Sequence, residues 1–493
     1  MGFSLGYDGN HSVLASHNSV SANTNPKIVL EKVQCEISLG RIAGPFTDPP
    51  FDLFKCSPLA LREKSCKGKY RLLHNLSYPY NHEAVNFNIS DDHAKVSYAK
   101  LSDAFVLVRK FNNCFMAKSD IADAFRLIPL NPNDYNLTGF KFGGQFYYDR
   151  CLPMGARSSC LIFERFSNAL KFILENVYKV PHVVKVLDDF LFIAESFGEC
   201  LYALECFKTM CSRLGVPIAV HKTVGPTQSI DFLGISIDSV AYEASVPKDK
   251  IEAYSAVVSK LLTEDTCTLR EMRSVIGKLQ FTTCVISSGR CFLRRLYDTT
   301  IGKSNPNCLV FLTDEVKQDL HLWLSFLCSF NGKSLLVDRS LAVSPDIHLY
   351  SDSSKTGYGG TFMGKYILGL FPSTWQDYSI AVLELYPIFL LVKMFASEMA
   401  YKTVIFHCDN EAIVTIINKQ TSKNRRIMKL LRPMVLEMLK FNVIFKSEHI
   451  PGLQNNLCDA LSRQQVSEQL LRRHGLGKPT TVPFHLRPCN FKI

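Results

Sequence analysis

One short stretch constrains the fold of this chain more than any other: Val183–Glu195, which reads VVKVLDDFLFIAE. Two runs rich in β-branched and aromatic residues, Val183–Leu187 and Phe190–Ala194, flank the adjacent carboxylates Asp188 and Asp189. Such runs read as strands. A two-residue junction between them predicts a tight hairpin, although Asp-Asp lacks the usual glycine. The hairpin would lift two acids out of an apolar sheet, where they repel each other and resist desolvation. A divalent cation relieves both problems, and hard oxygen ligands suit Mg²⁺. The same dipeptide also reads as a solvated acidic turn, because aspartate is a common turn residue.

The chain has 493 residues, which at roughly 150 residues per domain implies about three domains. A hydrophobic fraction of 47% supports globular cores throughout. The net charge of +11 points weakly to a polyanionic partner. The 17 cysteines show no CxxC pair and no zinc-knuckle spacing, which fits reduced thiols in an intracellular protein, in cytoplasm or nucleus. Residues 1–25 are polar, lack the apolar core of a signal peptide and are expected to be disordered. No uninterrupted apolar run reaches the ~18 residues of a membrane span. The nearest approach, Ala381–Ala400, carries Glu384, Pro387, Lys393 and Glu398, so no membrane partner is expected.

Taken in order, the chain predicts a helix over Pro26–Leu39 and then a Pro-rich segment of extended chain and turns. Lys64, Lys67, Lys69 and Arg71 cluster around a glycine turn beside the strand-like YRLLHNL, a place for a triphosphate or a solvated hairpin tip. In NCFMAKSDIADAFRLIPL, Asp120 ends a strand, where a carboxylate and a backbone carbonyl can both face a metal. Phe125 lies five residues on, as pocket floor or as plain core. Pro153 and Gly155 bend the chain before a helix from Ser158 to Leu170. Backbone at that bend could approach a templating base, and Arg157 could touch phosphate. A helix is predicted over Glu199–Leu214, a single strand over SIDFLGISID, and a helix over Thr263–Leu296.

From His348 the pattern changes to strands and helices in alternation. Asp352 follows a strand start, Glu384 lies early in a helix over Ser379–Ala400, and Asp409 ends a strand. Asp459 sits on a short helix behind PGLQNNL, after a helix over Arg432–Leu439 and the strand FNVIFKSEHI. Each acid alone reads as a solvated carboxylate or a helix cap; the four in this order suggest a second two-metal site. The tail from Val466 is basic and proline-containing, and is expected to be poorly ordered.

These motifs resemble, from about Gly44 to Arg463, the reverse transcriptase plus ribonuclease H region of retroelement polyproteins. Asp120-Ile-Ala-Asp123-Ala-Phe125 looks like the first palm motif, with a metal-binding aspartate and an aromatic steric gate. Leu152-Pro-Met154-Gly155 looks like the template and dNTP-positioning motif. Val186-Leu-Asp188-Asp189 looks like the catalytic hairpin, His221-Lys222-Thr223 like the motif whose lysine lies near the triphosphate, and Phe232-Leu233-Gly234 like the primer grip. Lys69 and Arg71 resemble the fingers element that clamps phosphates. Asp352, Glu384, Asp409 and Asp459 resemble the ribonuclease H acids, and His449 that family's flexible-loop histidine. Val186 replaces the usual tyrosine, Glu164 stands where glutamine is common, and Cys160 replaces a common proline. The VLDDF hairpin and the GPF…PPF…SPL preamble look most like DIRS-type elements, which integrate with a tyrosine recombinase.

The resemblance implies an α+β multidomain chain. A right-hand polymerase of fingers, palm and thumb is followed by an α/β ribonuclease H-like domain. It implies an N-terminal extension over 1–43, partly disordered, and fingers and palm over 44–240. Thumb and connection follow over 241–345, the ribonuclease H-like domain over 346–465 and the basic tail over 466–493. It also implies two Mg²⁺ ions per active site, with Mn²⁺ as a substitute, held by Asp120, Asp188 and Asp189 and by the four later acids. The implied activity is RNA-directed DNA synthesis with degradation of the RNA strand of the hybrid. The implied partners are RNA template, DNA primer, RNA–DNA hybrid, dNTPs and other retroelement proteins such as a gag-like protein or a recombinase, and the chain would be one piece of a longer element. A catalytically silent, co-opted nucleic-acid-binding protein is the competing class, although seven intact carboxylates count against it. A DNA-templated polymerase with an editing domain is a third reading.

Overall fold

The computed structural model describes residues 2–63, 68–335 and 345–491. It divides into two compact units, Met1–Leu233 and Gly234–Ile493. Among the described residues no helix is long and apolar enough to cross a membrane.

The N-terminal unit begins with α1 (Val20–Asn23), α2 (Pro26–Ser38) and β1 (Ile42–Phe46), followed by the hairpin of β2 (Leu59–Glu63) and β3 (Tyr70–His74). After α3 (Leu101–Lys110) comes β4 (Phe115–Asp120). Strands β5 (Gly139–Phe142) and β6 (Gln145–Asp149) join β1 in a small sheet of order β1-β6-β5. Helix α4 (Ser159–Asn176), the strands β7 (Val183–Val186) and β8 (Asp189–Ala194), helix α5 (Phe197–Leu214) and the strands β9 (Val224–Thr227) and β10 (Ser229–Phe232) complete the unit.

The sheet that positions the first site has the order β7-β8-β4-β9, with β8 antiparallel to both β7 and β4. Every residue of β8 after Asp189 is buried, so both faces are covered and the strand is a continuous apolar run rather than an alternating one. Phe207 of α5 supplies much of that cover, with its ring 4.7 Å from Phe190 and 5.4 Å from Phe192. A capping box of Ser196 and Glu199 starts α5, two residues ahead of its expected start.

The expected disorder of residues 1–25 is not what the structure shows. Leu5 is fully buried and its amide donates to Asp134 Oδ2 at 2.7 Å. Asn18 Oδ1 accepts from Leu59 N and Ser21 Oγ from Leu61 N. The polar composition that argues for disorder supplies acceptors for the otherwise unpaired edge of β2.

The C-terminal unit opens with β11 (Ile235–Asp238) and β12 (Glu243–Ser245), a hairpin, and continues through α6 (Lys248–Leu262), β13 (Thr266–Thr268), α7 (Leu269–Thr282), α8 (Arg294–Asp298), β14 (Leu309–Phe311) and α9 (Asp314–Ser329). The single helix expected over Thr263–Leu296 is therefore broken. Thr268 and Glu271 form a capping box that starts α7, and the Thr282 and Thr283 hydroxyls turn back onto the Leu279 and Gln280 carbonyls at its end. The strand expected over SIDFLGISID is also broken, because Leu233 (φ 47°) and Gly234 (φ 80°) form a two-residue turn of positive φ between β10 and β11.

A five-stranded mixed sheet then forms from β15 (Ile347–Ser353), β16 (Gly357–Phe362), β17 (Lys365–Leu370), β18 (Thr403–Cys408) and β19 (Ile444–His449), in the order β17-β16-β15-β18-β19. The first three strands are antiparallel; β15, β18 and β19 run parallel. Helix α10 (Ile380–Phe395) is buried along most of its length, Pro387 included. Helices α11 (Glu411–Lys419), α12 (Arg425–Lys440), α13 (Asn456–Ser462) and α14 (Glu468–Arg473) follow. Helix α12 begins seven residues before the expected Arg432, because Asn424 caps it by accepting from Arg426 N and Ile427 N. The tail, expected to be poorly ordered, packs instead: Leu476, Val482 and Leu486 are buried, the Tyr386 hydroxyl donates to Leu486 O, and Phe491 lies 5.0 Å from Phe389.

Candidate active sites

The hairpin acids do not share one turn. Val186 pairs with Asp189, so the two-residue loop is Leu187–Asp188 and Asp189 opens β8. One register position across the ladder, Asp189 stands opposite Asp120, the last residue of β4. Asp188 is tied to the same strand end through its carbonyl, which accepts from Ile121 N at 3.0 Å. The three carboxylates predicted as a set are thus brought together by two adjacent strand ends.

Their electrostatics are those of crowded acids. Burial, then a hydrogen bond to Asp120 and the charges of Asp120 and Asp188, push the Asp189 carboxyl up to about 7. Burial and the charge of Asp120 also raise Asp188, while Lys222 and Arg71 act in the opposite direction. Lys222 Nζ donates to Asp120 Oδ2 at 2.6 Å, and that bond, with the charges of all three acids, raises its ammonium. An ammonium drawn into an all-oxygen carboxylate set shows what these residues attract, and a hard divalent cation fits the donors.

The residues predicted around the acids fall into place unevenly. Phe125 is half-buried, with its ring 5.3 Å from Phe163 of α4. Gly155 makes a close approach that needs its missing side chain: a Cβ there would lie 1.9 Å from the His74 carbonyl oxygen at the end of β3. Met154 beside it is 48% exposed. Arg71 and Lys69 are exposed, and the charge of Arg71 reaches Asp188. Arg157 is spent on protein contacts, donating to Ile89 O and pairing with Asp91. Phe232 is buried, and Leu233 and Gly234 form the turn described above. Lys64 and Lys67 lie outside the described residues.

The second acid set gathers on the five-stranded sheet. Asp352 lies in β15 and accepts from Ser462 Oγ of α13 at 2.7 Å. Glu384 is in the second turn of α10, and Asp409 follows β18. Burial, followed by the charges of Asp352 and Asp409, pushes Glu384 up to about 9. Burial and the charges of Asp409 and Asp459 raise Asp352 as well. Ligand atoms of Glu384, Cys408 and Asp409 lie within 4.8 Å of one another. Burial pushes the Cys408 thiol well up, so the oxygens of this group are the donors that would suit a hard cation. Asp459 on α13 is held by Arg463 Nε at 2.7 Å, and exposed His449 at the end of β19 bonds the Asp409 carbonyl at 3.2 Å.

Two features went unread in the sequence. A buried ion pair joins Glu164 of α4 to Lys185 of β7 at 2.7 Å, and nothing in the spacing of two single residues 21 apart signals it. The C-terminal unit also has a basic cleft of about 740 Å³ between α8 and the start of α12. Arg294, Arg295, Lys423, Arg425, Arg426 and Lys429 line it. The KNRRIMK run is the available signal, masked because the pattern predicts the helix only from Arg432.

Residues 62–237 match the reverse transcriptase (RNA-dependent DNA polymerase) family. The chain is 24% identical over 434 residues to Polyprotein P3 of Commelina yellow mottle virus, covering 82% of this chain and 20% of that one. It is 26% identical over 235 residues to the Gag-Pro-Pol polyprotein of Human T-cell leukemia virus 3 (strain 2026ND), covering 45% and 15%. The chain thus spans a fifth or less of the length of these relatives. A foamy viral protease-reverse transcriptase solved with an RNA/DNA hybrid superposes with a TM-score of 0.55 at 14% identity, covering 98% of this chain and 58% of that chain. A second foamy viral structure, solved with double-stranded DNA, gives 0.53 at 16% identity, covering 90% and 73%. The likeness is one of fold: a polymerase followed by a ribonuclease H-like domain. The chain is similar to the reverse transcriptase region of retroviral and retroelement polyproteins.

Proposed function

We propose that this chain, with its reverse transcriptase match and two separate acid sites, is an RNA-directed DNA polymerase that also cuts the RNA strand of an RNA–DNA hybrid. The carrying observation is the pairing of Asp120 with Asp189 across two strand ends, with Asp188 in the turn between. Fingers and palm are assigned to 44–240, thumb and connection to 241–345, and the nuclease to 346–465. DIRS-type elements are the proposed source, and the proposed setting is intracellular.

In the polymerase site Asp120, Asp188 and Asp189 would hold Mg²⁺. Bound there, the cations would activate the primer 3′-hydroxyl and stabilise the leaving pyrophosphate. The chain's own part is positioning, which dominates phosphoryl transfer. The ladder between β4 and β8 fixes Asp120 and Asp189, and the Ile121 amide holds the backbone of Asp188 in the turn. Lys222, which bonds the Asp120 carboxylate, would meet the triphosphate. Lys69 and Arg71 would bind its outer phosphates. Met154 and Gly155 would face the nascent pair, and Phe125, braced by Phe163, would exclude a ribose 2′-hydroxyl. Phe232, Leu233 and Gly234 would carry the primer strand.

In the second unit Asp352, Glu384, Asp409 and Asp459 would hold the cations that activate water for RNA cleavage. A nuclease of this kind distinguishes its strand by 2′-hydroxyls and helix shape rather than by base sequence. His449, exposed and bonded to the Asp409 carbonyl, would assist product release.

The test is extension of oligo-dT on poly-rA with dTTP and Mg²⁺, beside the Asp188→Asn, Asp189→Asn double variant, with the RNA end-labelled. Extension by the parent chain only, with RNA cleavage by both, is the expected result. A folded chain that binds hybrid but neither extends nor cuts is the silent binding protein instead. Degradation that spares RNA would indicate a DNA-templated enzyme with an editing domain.

A further inference from the structure

We infer that the buried Glu164–Lys185 pair is a positioning device for Asp188, acting through the backbone of the residue before it. Leu187 sits at φ 53°, in the left-handed region that a leucine adopts only when its surroundings impose it. Its amide has been taken out of the β7–β8 ladder by the turn, and it donates to Glu164 Oε2 at 3.1 Å. The other oxygen of that carboxylate, Oε1, accepts from Lys185 Nζ at 2.7 Å. Lys185 Nζ also donates to Ser167 Oγ at 2.7 Å and to the Glu164 carbonyl at 3.3 Å. Glu164 and Lys185 are 4% and 3% exposed, and Ser167 is fully buried. Each carboxylate oxygen therefore has one fixed partner, and the carboxylate cannot rotate away from the turn.

Charge is required at both ends of the arrangement. An amide acceptor in place of Glu164 would leave the Lys185 ammonium buried without a counter-charge, the costly half of any buried pair. Conversely, a neutral residue at 185 leaves the carboxylate held by one amide alone. On the far side of the turn, Ile121 N holds the Asp188 carbonyl at 3.0 Å. The peptide units around Asp188 are thus gripped from α4 on one side and from the end of β4 on the other. The Glu164 carboxylate points from α4 at the backbone of the turn. Glutamine at 164 could accept the Leu187 amide without leaving a buried charge unpaired when position 185 is neutral as well. The two positions form one unit in which either both are charged or both neutral.

This inference rests on the polymerase reading for its consequence but not for its geometry, and the experiment separates the two. Backbone amide exchange and Mn²⁺ binding, read by paramagnetic relaxation, are measured in the full chain for Glu164→Gln, Lys185→Gln and the double Glu164→Gln, Lys185→Gln variant. Primer extension runs alongside. The expected result is at least tenfold faster exchange at Leu187–Asp189 in each single variant. Each single variant also shows severalfold weaker Mn²⁺ binding and a matching rise in the cation concentration for half-maximal extension. The double variant should recover most of all three. Exchange and Mn²⁺ binding that stay at parent values in both single variants, whatever their melting temperature, would overturn the inference and leave a plain buried ion pair. If the parent chain extends no primer, the polymerase reading fails, and exchange and Mn²⁺ binding still decide this one. Should a single variant fail to fold, recovery or loss in the double variant decides.

Discussion

Asp120 and Asp189 face each other as the closing pair of an antiparallel ladder, each on a different strand and neither in a loop. A cation site built this way is set by strand register, since a slip of one residue in β8 would turn Asp189 to the other face. Replacing Asp189 by Asn keeps the ladder and removes one charge. Extension should fall by about 10³-fold or more, the upper range for losing a single electrostatic stabiliser. Cleavage of the RNA strand should be unchanged, because the four acids of that site lie in the other unit. Parallel steady-state assays of the two activities check this.

The same crowding sets a pH dependence. Asp189 is raised to about 7 and Glu384 to about 9, so the folded chain holds protons that the unfolded chain has released. In the cation-free chain the stability contributed by these two acids should therefore be full only below about pH 4, the range of unfolded carboxylates. It should decline as pH rises through 7 and towards 9. A divalent cation favours the ionised acids, so the rise in melting temperature on adding Mg²⁺ should grow over the same interval. Thermal unfolding from pH 5 to 9, with and without Mg²⁺, reads this directly. An Mg²⁺ effect that is flat across pH would contradict it.

Phe125 offers a test of substrate choice. Its ring rests on Phe163 rather than in the bulk of the core, so a smaller residue should be tolerated. Phe125→Val should cut discrimination against ribonucleotides by about 10- to 200-fold, the scale of a lost apolar contact. Competing single-nucleotide insertions with dTTP and UTP give the ratio.

Both acid clusters are legible in the sequence at the level of residue identity, because a proposed metal site restricts what can stand at each place. All seven acids predicted from the sequence are gathered into two clusters in the structure. The details that escaped were tertiary. The sequence predicts the turn at Asp188–Asp189, because the apolar run ends at Leu187. The loop in fact starts there, with the Leu187 amide held by a helix 23 residues upstream. The composition of residues 1–25 predicts disorder, yet two of their polar side chains are acceptors for the edge of β2. The tail misled in the same way, because the tyrosine and phenylalanine it covers lie about a hundred residues away. No local pattern carries such pairings.

The basic cleft of the C-terminal unit predicts where part of the net charge acts. Arg432 is paired with the fully buried Asp319 and Arg294 with Asp298, so these cations are engaged by the protein. Lys423, Arg425 and Lys429 are exposed on the same wall. Changing these three to Gln should weaken hybrid binding and lower the slope of log affinity against log salt by up to about 2.7, or 0.9 per lost phosphate contact. Fluorescence anisotropy across a salt series measures both.

The most severe loss of stability is expected at Arg126, one residue beyond Phe125. Its guanidinium is bonded to Asp149 Oδ1 at 2.7 Å and to Glu36 Oε2 at 2.9 Å. Asp149 Oδ2 in turn is 2.9 Å from His74 Nδ1, and His74 Nε2 is 3.1 Å from the Gly139 carbonyl. Burial alone would raise the Asp149 carboxyl. Arg126 and His74 outweigh that and hold it below the usual carboxylate range. Arg126→Met removes the main counter-charge of a carboxylate that is 4% exposed, and should cost about 3–5 kcal/mol, the range for breaking a buried pair. The companion Asp149→Asn should cost less when combined with Arg126→Met than alone, because the double change leaves no orphaned charge. Sign matters for the acid limb: a depressed pKa stabilises above the unfolded value, so the parent chain should lose this contribution as pH falls below about 4, and Arg126→Met should not. Chemical denaturation of the three variants at pH 7 and pH 3.5 separates the pairwise term from the loss of packing.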